Sequence, residues 1–493
     1  MTSPQTAGRA ADRRSWAPLA VVLTGGFISF LDFFIANVAI PSIQSDLGAG
    51  APETQLVMVG YGAALCVGLI TGGRMGDLYG PRRMFLLGLA LFTAASAACG
   101  FAPGIWFLIA ARVVQGLSSA MLTPQILAVV SHVYTGAARG RAFGAYGLML
   151  GLSGLCGQLI GGVLIALDVA GLGWRTVFLI NIPIGLVILT LTPRTVPRIR
   201  TEAGAGLDLA GAALATVSLA AVVLPLLEGR EQGWPLWAWL SLIAGVPLFV
   251  LFITHQRGLA ARSEAPLIDP GLFRRRGFAV GVAAYFVYFM SMGSFFLLFA
   301  IYMQEGRGWD ALPSGLLFTT MSAGFFGSSF LAGKIAVRIG NQVVALGAGL
   351  VAVGYGTVAL IVAHLGVDGS AGWVAPGLLV AGFGMGLVAA PLPAAALADV
   401  DPKHASAASG VLSTAMEGGA ALGVSLVGLV FFGALGASPS PDRYPRAFFL
   451  SIAVIVAFPV IVTLLVQALP KPAPAVSEAS QEEGSDTVEQ PVC

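Results

Sequence analysis

Three ionisable side chains interrupt stretches of sequence that are otherwise apolar. Asp32 lies in the first such stretch, Arg112 in the fourth and Glu417 in the thirteenth. An ionised side chain at the centre of a lipid bilayer costs at least about 2.5–3.5 kcal/mol, so residues of this kind usually face a cavity and have a function. Carboxyl groups that bind and release a proton, together with a fixed guanidinium charge, are the chemistry that these residue types offer.

The depths of Asp32 and Arg112 predict that the two side chains meet. Asp32 lies eight residues before the end of its stretch at Ile40, and Arg112 lies seven residues after the start of its stretch at Ile105. At a helical rise of about 1.5 Å per residue, both are about 10–12 Å below the same membrane boundary. An Asp32–Arg112 pair is therefore our hypothesis for a proton-coupling site. The alternative is a permanent ion pair that only locks two helices together.

Glu417 lies deeper than the other two charged residues. It follows the start of its stretch at about Ser406 by a helical rise of roughly 16 Å, which places it near the bilayer midplane. A carboxyl at this depth is a candidate proton carrier. The alternative is a protonated acid that is hydrogen-bonded to a neighbouring helix.

The rest of the composition explains why these charges stand out. Of 493 residues, 57% are hydrophobic and 10% are charged, whereas soluble proteins carry about 25% charged residues. A soluble enzyme, a disulfide scaffold and a disordered regulator are excluded, and a net charge of +2 offers no footprint for nucleic acid. A spanning helix needs roughly 20 apolar residues. The sequence therefore predicts an all-α polytopic membrane protein with fourteen spans, at 16–40, 55–74, 84–102, 105–130, 140–167, 175–193, 207–227, 235–254, 277–302, 311–337, 343–364, 373–398, 406–434 and 446–468.

The basic residues predict the orientation of these spans. Of 26 Lys and Arg residues, 20 fall in segments on the same side as the N-terminus, five fall on the other side, and Arg112 lies within a span. Because cytoplasmic loops carry an excess of Lys and Arg, both termini are expected in the cytoplasm. Residues 1–15 are expected to form a cytoplasmic N-terminus. Residues 470–493, rich in Pro, Glu, Ser and Ala, are expected to form a disordered cytoplasmic tail.

Two glycine pairs with the same spacing indicate an internal repeat. The pair Gly73 and Gly80 closes the second span, and the pair Gly333 and Gly340 closes the tenth. The repeat predicts two six-helix halves of the same orientation, 16–193 and 277–469, joined by a linker, 194–276, that contains two extra membrane helices. Paired halves around a site at the midplane recur among transporters. The alternative is a chance match, since about one residue in eight is glycine.

Several motifs resemble those of the major facilitator superfamily, in its 14-helix drug:proton antiporter branch. They occupy 31–41 in the first span, 73–83 after the second, 112–116 in the fourth and 174–183 at the start of the sixth. The resemblance extends over nearly the whole chain except the tail. The sequence departs from these motifs at Phe34, Leu78 and Pro81. In the fifth-span antiporter motif, formed by Gly157, Gln158, Gly161 and Gly162, Gln158 replaces the usual proline.

The resemblance implies the major facilitator fold, with two six-helix halves and two inserted helices. In this fold the first and fourth helices line the central cavity, which is compatible with an Asp32–Arg112 pair. It also implies proton antiport by alternating access, driven by the proton gradient without a cofactor. The loop residues Gly73, Asp77, Gly80, Arg82 and Arg83 would form a latch that favours one access state. Plain anchoring by the arginines is the alternative, but it does not explain an acid between two glycines.

Aromatic and methionine side chains are concentrated in the ninth span. They are expected to line an adaptable cavity for small lipophilic molecules, cationic ones among them. For any single residue, contact with lipid is the alternative. The candidate cavity residues are Phe33, Asn37, Tyr61, Gln115, Tyr285, Tyr288, Phe289 and Met292.

Together these features predict a secondary active exporter of lipophilic drugs or antibiotics. Its partners are expected to be the substrate, protons and the lipid bilayer, and it is expected to act as a monomer in the bacterial cytoplasmic membrane. The sequence contains no recognisable catalytic or metal-binding motif, so an enzyme is not expected. The alternatives are a transporter of an endogenous metabolite or lipid, and a membrane sensor on the same fold that transports nothing.

Overall fold

The computed structural model describes residues 16–199, 206–229, 232–262, 264–309, 311–367, 369–436 and 440–469, and its regular structure there is helical throughout. The predicted N-terminal segment 1–15 and the tail 470–493 lie outside these residues. The membrane-length helices are α1 (Ala17–Leu47), α2 (Ala51–Tyr79), α3 (Pro81–Gly100), α4 (Ile105–Val133), α5 (Gly136–Leu167), α6 (Gly173–Thr195), α7 (Leu209–Glu228), α8 (Leu236–Ala261), α9 (Arg276–Ile301), α10 (Ala311–Ile339), α11 (Gln342–Leu365), α12 (Ala371–Ala396), α13 (Ala405–Leu435) and α14 (Tyr444–Val466).

These helices correspond one to one with the predicted spans. Thirteen of them are long and apolar enough to cross a membrane, and α5, bent by 42° between the arms Ala138–Gly154 and Leu159–Leu167, makes fourteen when it counts as one span. Several helices extend beyond the predicted boundaries. The predicted boundaries follow the apolar residues, whereas the helical hydrogen bonding of the backbone continues into the polar residues at the helix ends. Thus α1 continues through Pro41 to Leu47, and α2 continues to Tyr79, so that Asp77 lies within the helix.

The first six and the last six helices repeat the same pattern of neighbours. In the first unit α2 and α3 pack against α4, α1 packs against α5 and α6, and α3 also packs against α6. In the second unit α10 and α11 pack against α12, α9 packs against α13 and α14, and α11 also packs against α14. The fold is therefore an all-α bundle with two six-helix units of the same connectivity, which we call the first and second units, plus the pair α7 and α8.

Glycine brings α2 and α4 close enough to fix their relative position. A Cβ atom on Gly72 would lie 2.2 Å from the Ala120 carbonyl oxygen, and one on Gly116 would lie 2.3 Å from the Tyr61 carbonyl oxygen. Backbones that approach this closely exclude any larger residue at either position. The contact holds the part of α4 that carries Arg112 against α2.

The inserted helix α7 lies against both units. Its residues Val223 and Leu227 pack with Ala63 and Cys66 of α2. On the other side, the Ser425 hydroxyl of α13 donates a hydrogen bond of 2.7 Å to a carbonyl oxygen of α7. The second inserted helix, α8, packs on α7. The inserted pair therefore covers one junction between the two units.

Asp208 fixes the start of α7 to the end of α8. Its carboxylate accepts hydrogen bonds from the Gly211 backbone N–H at 2.7 Å, from His255 Nε2 at 3.1 Å and from Gln256 Nε2 at 2.8 Å. Burial alone would raise the pKa of Asp208, but these three donors hold that pKa below its usual value. The charged form of Asp208 is the one that the folded pair stabilises.

Candidate functional site

Asp32 and Arg112 form an ion pair inside the first unit. Asp32 lies in the middle of α1 and Arg112 in the first part of α4, and both side chains are completely buried. Arg112 Nη1 donates a hydrogen bond to Asp32 Oδ2. Buried charges lose their hydrating water, so each needs further polar partners to remain ionised. The structure thus brings together the two residues whose depths agree in the sequence.

Two glycines of α5 determine how closely α1 approaches it at the level of Asp32. A Cβ atom on Gly157 would lie 2.6 Å from Phe34 Cβ, and one on Gly161 would lie 2.9 Å from a side-chain carbon of the next residue of α1. Gly162 meets nothing within 4 Å, so close packing requires only the first two glycines of the motif. The backbone of Gln158 is helical, and its side chain lies outside the described part of the structure.

Three further polar groups make four hydrogen bonds to the ion pair. Asp32 Oδ1 accepts from Gln115 Nε2 at 3.0 Å and from Asn181 Nδ2 of α6 at 2.8 Å. Arg112 donates from Nη1 to Gln115 Oε1 at 2.8 Å and from Nε to the Val57 carbonyl oxygen at 3.2 Å. Sequence reasoning missed Asn181 as a partner of Asp32. Its position in the sixth-span motif 174–183 was the signal that could have found it.

Tyr61 and Gln115 belong to this network, and not to an open cavity surface as predicted. Both side chains are completely buried. The Arg112 guanidinium lies over the Tyr61 ring, 4.2 Å from its centroid, where a cation is attracted to the face of the ring. The Tyr61 hydroxyl donates to the Ser29 carbonyl oxygen at 2.9 Å and also contacts the Ser119 hydroxyl at 2.8 Å. The two residues therefore support the ion pair in this conformation.

Glu417 occupies a different environment, between the two units. It lies on α13 and is close enough to Cys66 of α2, Tyr146 of α5 and Tyr285 of α9 to interact with them electrostatically. Its side chain is half-buried. Within the residues that the structure describes, no hydrogen bond or ion pair holds its carboxyl group. Glu417 is thus an unpaired acid that faces helices of both units.

Aromatic residues of α9 surround this region. Tyr285 and Phe289 have ring centroids 4.9 Å apart, and Tyr288 and Phe289 have centroids 5.3 Å apart. Tyr285 and Tyr288 are buried, whereas Phe289 and Met292 are half-buried. The Tyr285 hydroxyl lies 3.9 Å from the Met416 sulfur. Adjoining Glu417, the structure therefore places aromatic and thioether groups, which suit flat apolar ligands.

Two predicted cavity residues lie on α1, Phe33 directly after Asp32 and Asn37 about one turn beyond Phe33. Phe33 is half-buried and meets the Phe34 ring edge-on at a centroid distance of 5.4 Å. Asn37 is exposed, and its Nδ2 donates only to the Phe33 carbonyl oxygen of its own helix, at 3.2 Å. The Asn37 amide is thus accessible at the surface of α1.

Asp77 joins the two units at the end of the bundle that contains the end of α2. Its two carboxylate oxygens accept hydrogen bonds from the Ser406 and Ala407 backbone N–H groups, at 2.9 and 3.0 Å. These N–H groups belong to the first turn of α13, where the helix dipole favours a negative charge. A Cβ atom on Gly73, one turn earlier, would lie 2.5 Å from the Ser406 carbonyl oxygen. The acid and the glycine together permit a direct contact between α2 and α13.

The other residues of the loop motif form the turn between α2 and α3. Gly80 has a φ of +95°, which favours glycine. Arg82 Nη2 donates to the Pro193 carbonyl oxygen at 2.8 Å, and Arg83 is exposed. In the repeated motif of α10, the position equivalent to Asp77 is Val337, which is 86% exposed. The repeat therefore reproduces the glycines but not the contact between units.

Close approaches between the two units are found from the middle of the bundle to its Asp77 end. Three glycines mark them, because a Cβ atom on each would lie 2.5–3.3 Å from the opposite unit: Gly410 against Leu69, Gly151 against Phe325 and Gly147 against Ala389. With the Asp77 contact, they close the bundle at this end.

Comparison with known proteins gives these features a context. Residues 22–424 match the family described as Major Facilitator Superfamily. The "Probable actinorhodin transporter" of Streptomyces coelicolor is 37% identical over 434 residues, which cover 86% of this chain and 73% of that protein. The "Puromycin resistance protein pur8" of Streptomyces alboniger is 33% identical, with 97% of this chain and 95% of that protein covered.

A solved structure shows the same fold. The human organic anion transporter MFSD10 (TETRAN) superposes with a TM-score of 0.65 and 15% identity, over 92% of this chain and 99% of that one. At this identity the likeness concerns the arrangement of the helices alone.

Proposed function

The chain belongs to the Major Facilitator Superfamily, and from this premise we propose that it exports small lipophilic antibiotics or drugs by proton antiport. It is a multi-pass membrane transporter and not an enzyme. The names of the relatives, which concern actinorhodin transport and puromycin resistance, support a substrate of this class. Their bacterial origin supports a place in a bacterial cytoplasmic membrane, where the chain acts as a monomer.

The buried Asp32–Arg112 pair is the observation that carries the proposal. When Asp32 binds a proton its charge disappears, and the Arg112 guanidinium keeps its charge without an ionic partner. A buried charge that loses its partner costs about 3–5 kcal/mol. Protonation of Asp32 therefore favours a rearrangement of α1 against α4. A proton that changes the relative stability of two conformations is what coupling to a gradient requires.

Glu417 acts as the second acid and faces the substrate. Among the described residues its carboxyl is unpaired, and it is close enough to Tyr146 and Tyr285 to interact with them electrostatically, so it is available to a proton or to the cationic group of a substrate. Aromatic faces strengthen the binding of a cation and accept flat apolar groups. The substrate cavity is formed by Phe33, Asn37, Tyr285, Tyr288, Phe289 and Met292, with Tyr61 and Gln115 behind them.

The Asp77 contact acts as the latch of the transport cycle. Because the Asp77 end carries most of the basic loop residues, we assign this end to the cytoplasm together with both termini. The hydrogen bonds that Asp77 accepts from the start of α13 then hold the cytoplasmic end closed, and the cavity is accessible from outside. Release of the latch opens the cavity to the cytoplasm, where substrate enters.

The cycle uses the proton gradient and no cofactor. A proton entering from outside neutralises Asp32 or Glu417 and displaces the substrate's charge from the cavity. When the cavity opens to the cytoplasm the proton is released, and the deprotonated acids then favour the binding of a new substrate molecule. Two units that rock about a central site give the alternating access that this scheme needs.

Purified protein in liposomes tests the proposal. With an imposed pH gradient, a panel of fluorescent dyes and antibiotics should move against its own gradient, and collapse of the pH gradient by a protonophore should stop this movement. Asp32→Asn should abolish uphill transport. The matched control is Asp46→Asn, which removes an ion pair between Arg175 and Asp46 near the C-terminal end of the same helix. This variant should retain uphill transport.

Three results would contradict the proposal in different ways. Flux that does not depend on the pH gradient would exclude proton antiport. Full uphill transport by Asp32→Asn would exclude Asp32 as the coupling acid. Transport of an endogenous lipid or metabolite in place of every compound in the panel would exclude drug export.

A further inference from the structure

Asn181 connects α6 to the proton-coupling pair. Its Nδ2 donates to Asp32 Oδ1 at 2.8 Å and to the Ser96 hydroxyl of α3 at 2.9 Å. The side chain is completely buried. The coupling step proposed for Asp32 and Arg112 does not involve Asn181.

The partners of Asn181 determine which way its amide points. The Ser96 hydroxyl has one proton, and it donates that proton to the Phe178 carbonyl oxygen at 2.9 Å. Ser96 and ionised Asp32 therefore both accept hydrogen bonds from Asn181, and only the NH₂ end of the amide satisfies them. Within the part of the chain that the structure describes, the buried Oδ1 atom of Asn181 has no hydrogen-bond partner. Such an orphaned acceptor is uncommon in a well-packed interior.

Protonation of Asp32 reverses this requirement. Asp32 Oδ2 faces Arg112, which only donates, so the proton is held on Oδ1 and must be donated onward. Of the two amides at Oδ1, Gln115 already uses its Oε1 to accept from Arg112 Nη1 at 2.8 Å and from the Cys99 thiol at 3.5 Å. The Asn181 Oδ1 is the acceptor that remains available.

We propose that Asn181 senses the protonation state of Asp32. Its amide donates to the ionised carboxylate and, after half a turn about its terminal torsion, accepts from the protonated carboxyl. In the turned state the Ser96 hydroxyl rotates to donate to Asn181 Oδ1 and releases the Phe178 carbonyl. That carbonyl lies beside Ile180, where the helical stretches Thr176–Leu179 and Asn181–Thr195 meet. The proton on α1 is thereby reported to the junction within α6.

This inference rests on the proposed proton coupling but has a readout that does not need transport. Infrared difference spectra between acidic and alkaline buffer show the carbonyl band of a protonated carboxylic acid. A band that is present in the natural protein and absent in Asp32→Asn belongs to Asp32, and its amplitude against pH gives the midpoint of protonation.

Asn181→Leu, of similar volume, removes both hydrogen-bonding ends of the amide. The ionised carboxylate loses a charge-assisted hydrogen bond, which contributes more than the neutral hydrogen bond that the protonated acid loses, so the midpoint should move to higher pH by about one unit. The Asp32 band should also move to higher frequency, because the acid has lost its acceptor. Thr192→Val is the matched control, since Thr192 is buried in the same helix and bonds only to the Ile188 carbonyl oxygen, at 2.7 Å. Its midpoint and band should equal those of the natural protein.

Ser96→Ala provides a second variant that keeps Asn181 in place and serves if Asn181→Leu does not fold. It removes the group that fixes the amide as a donor, so the midpoint should move in the same direction by a smaller amount. An unchanged midpoint and band in the variants that fold would overturn the sensing role.

The proposed function fails separately. If the Asp32 band is present but transport ignores the pH gradient, proton antiport is wrong and Asn181 still senses Asp32. If the natural protein shows no Asp32 band at any pH, Asp32 binds no proton and the sensing role is overturned with it.

Discussion

Replacement of Asp77 by asparagine measures how strongly the two units are held together at one end. The carboxylate accepts two backbone N–H groups from the first turn of α13, at 2.9 and 3.0 Å. Asparagine keeps the shape and one acceptor, but it turns an NH₂ group toward the other N–H. A net hydrogen bond to a charged group contributes about 1.5–3 kcal/mol, and a charge at a helix N-terminus contributes about 0.3–1 kcal/mol. A loss of about 2–3 kcal/mol corresponds to a shift of about 30–140-fold toward the open state.

Double electron–electron resonance, which measures the distance between two spin labels, detects this shift. Tyr79 at the end of α2 and Val337 near the end of α10 are exposed and belong to different units, so labelled cysteines there report the opening of this end. The four native cysteines are replaced beforehand. With Asp77 present, a short distance between the two labels should dominate. Asp77→Asn should add a population of molecules with a longer distance between the labels.

Asp401→Asn is the control for this measurement. Asp401 is an exposed acid at the same end, and it caps the Lys403 backbone N–H at 3.0 Å within its own unit. Its replacement changes the charge equally but removes no contact between units, so the short distance should persist. If Asp77→Asn gave the same distance distribution as Asp401→Asn, the reasoning that assigns a latch to Asp77 would be wrong.

Three further predictions follow from other contacts. Glu417→Gln should weaken the export of cationic compounds about tenfold or more and spare neutral ones, as measured by inhibitory concentrations in cells; equal loss for both classes would contradict a charge-recognising role. Gly157→Ala should force α1 away from α5 and cost about 1–3 kcal/mol, seen as a lower Tm, whereas Gly144→Ala, where a Cβ meets nothing within 4 Å, should leave the Tm unchanged. Asp208→Asn should lower the Tm at neutral pH. Because folding lowers the pKa of Asp208, the ionised carboxylate stabilises the folded protein fully above its unfolded pKa of about 4. This stabilisation disappears as the pH falls through the folded pKa. A Tm difference that stays constant down to pH 3 would show that His255 and the other donors do not favour the charged form.

The span pattern and the Asp32–Arg112 contact could be predicted because both depend on distance along a helix. A fixed rise per residue converts sequence position into depth, and two charges at one depth in an apolar medium have a strong reason to pair. The same rule could not reveal Asn181. Asparagine carries no charge that must be compensated, and its direction around α6 depends on how α3, α1 and α6 pack.

The burial of Tyr61 and Gln115 was unpredictable for a related reason. Both lie on helices that line the cavity in the fold that the motifs imply, and both have polar atoms suited to a ligand. Their direction is set by the glycine contact between α2 and α4, where Gly116 approaches the Tyr61 backbone. That contact turns Tyr61 toward Arg112. The period of an α-helix predicts which side chains of one helix point in the same direction. It does not predict which face of that helix a neighbouring helix covers.

The two intramembrane acids differ in a way that separates their roles. Asp32 is completely buried and is held within one unit by Arg112, Gln115 and Asn181, so its charge is already compensated before a substrate arrives. Glu417 has no such partner and faces both units. A charge held within one unit changes the stability of that unit when it is lost, whereas a charge between the units is compensated only by what enters the cavity. We therefore propose that a proton at Asp32 acts on conformation. The group that neutralises Glu417, a proton or a substrate cation, would decide what the cavity holds while that conformation changes.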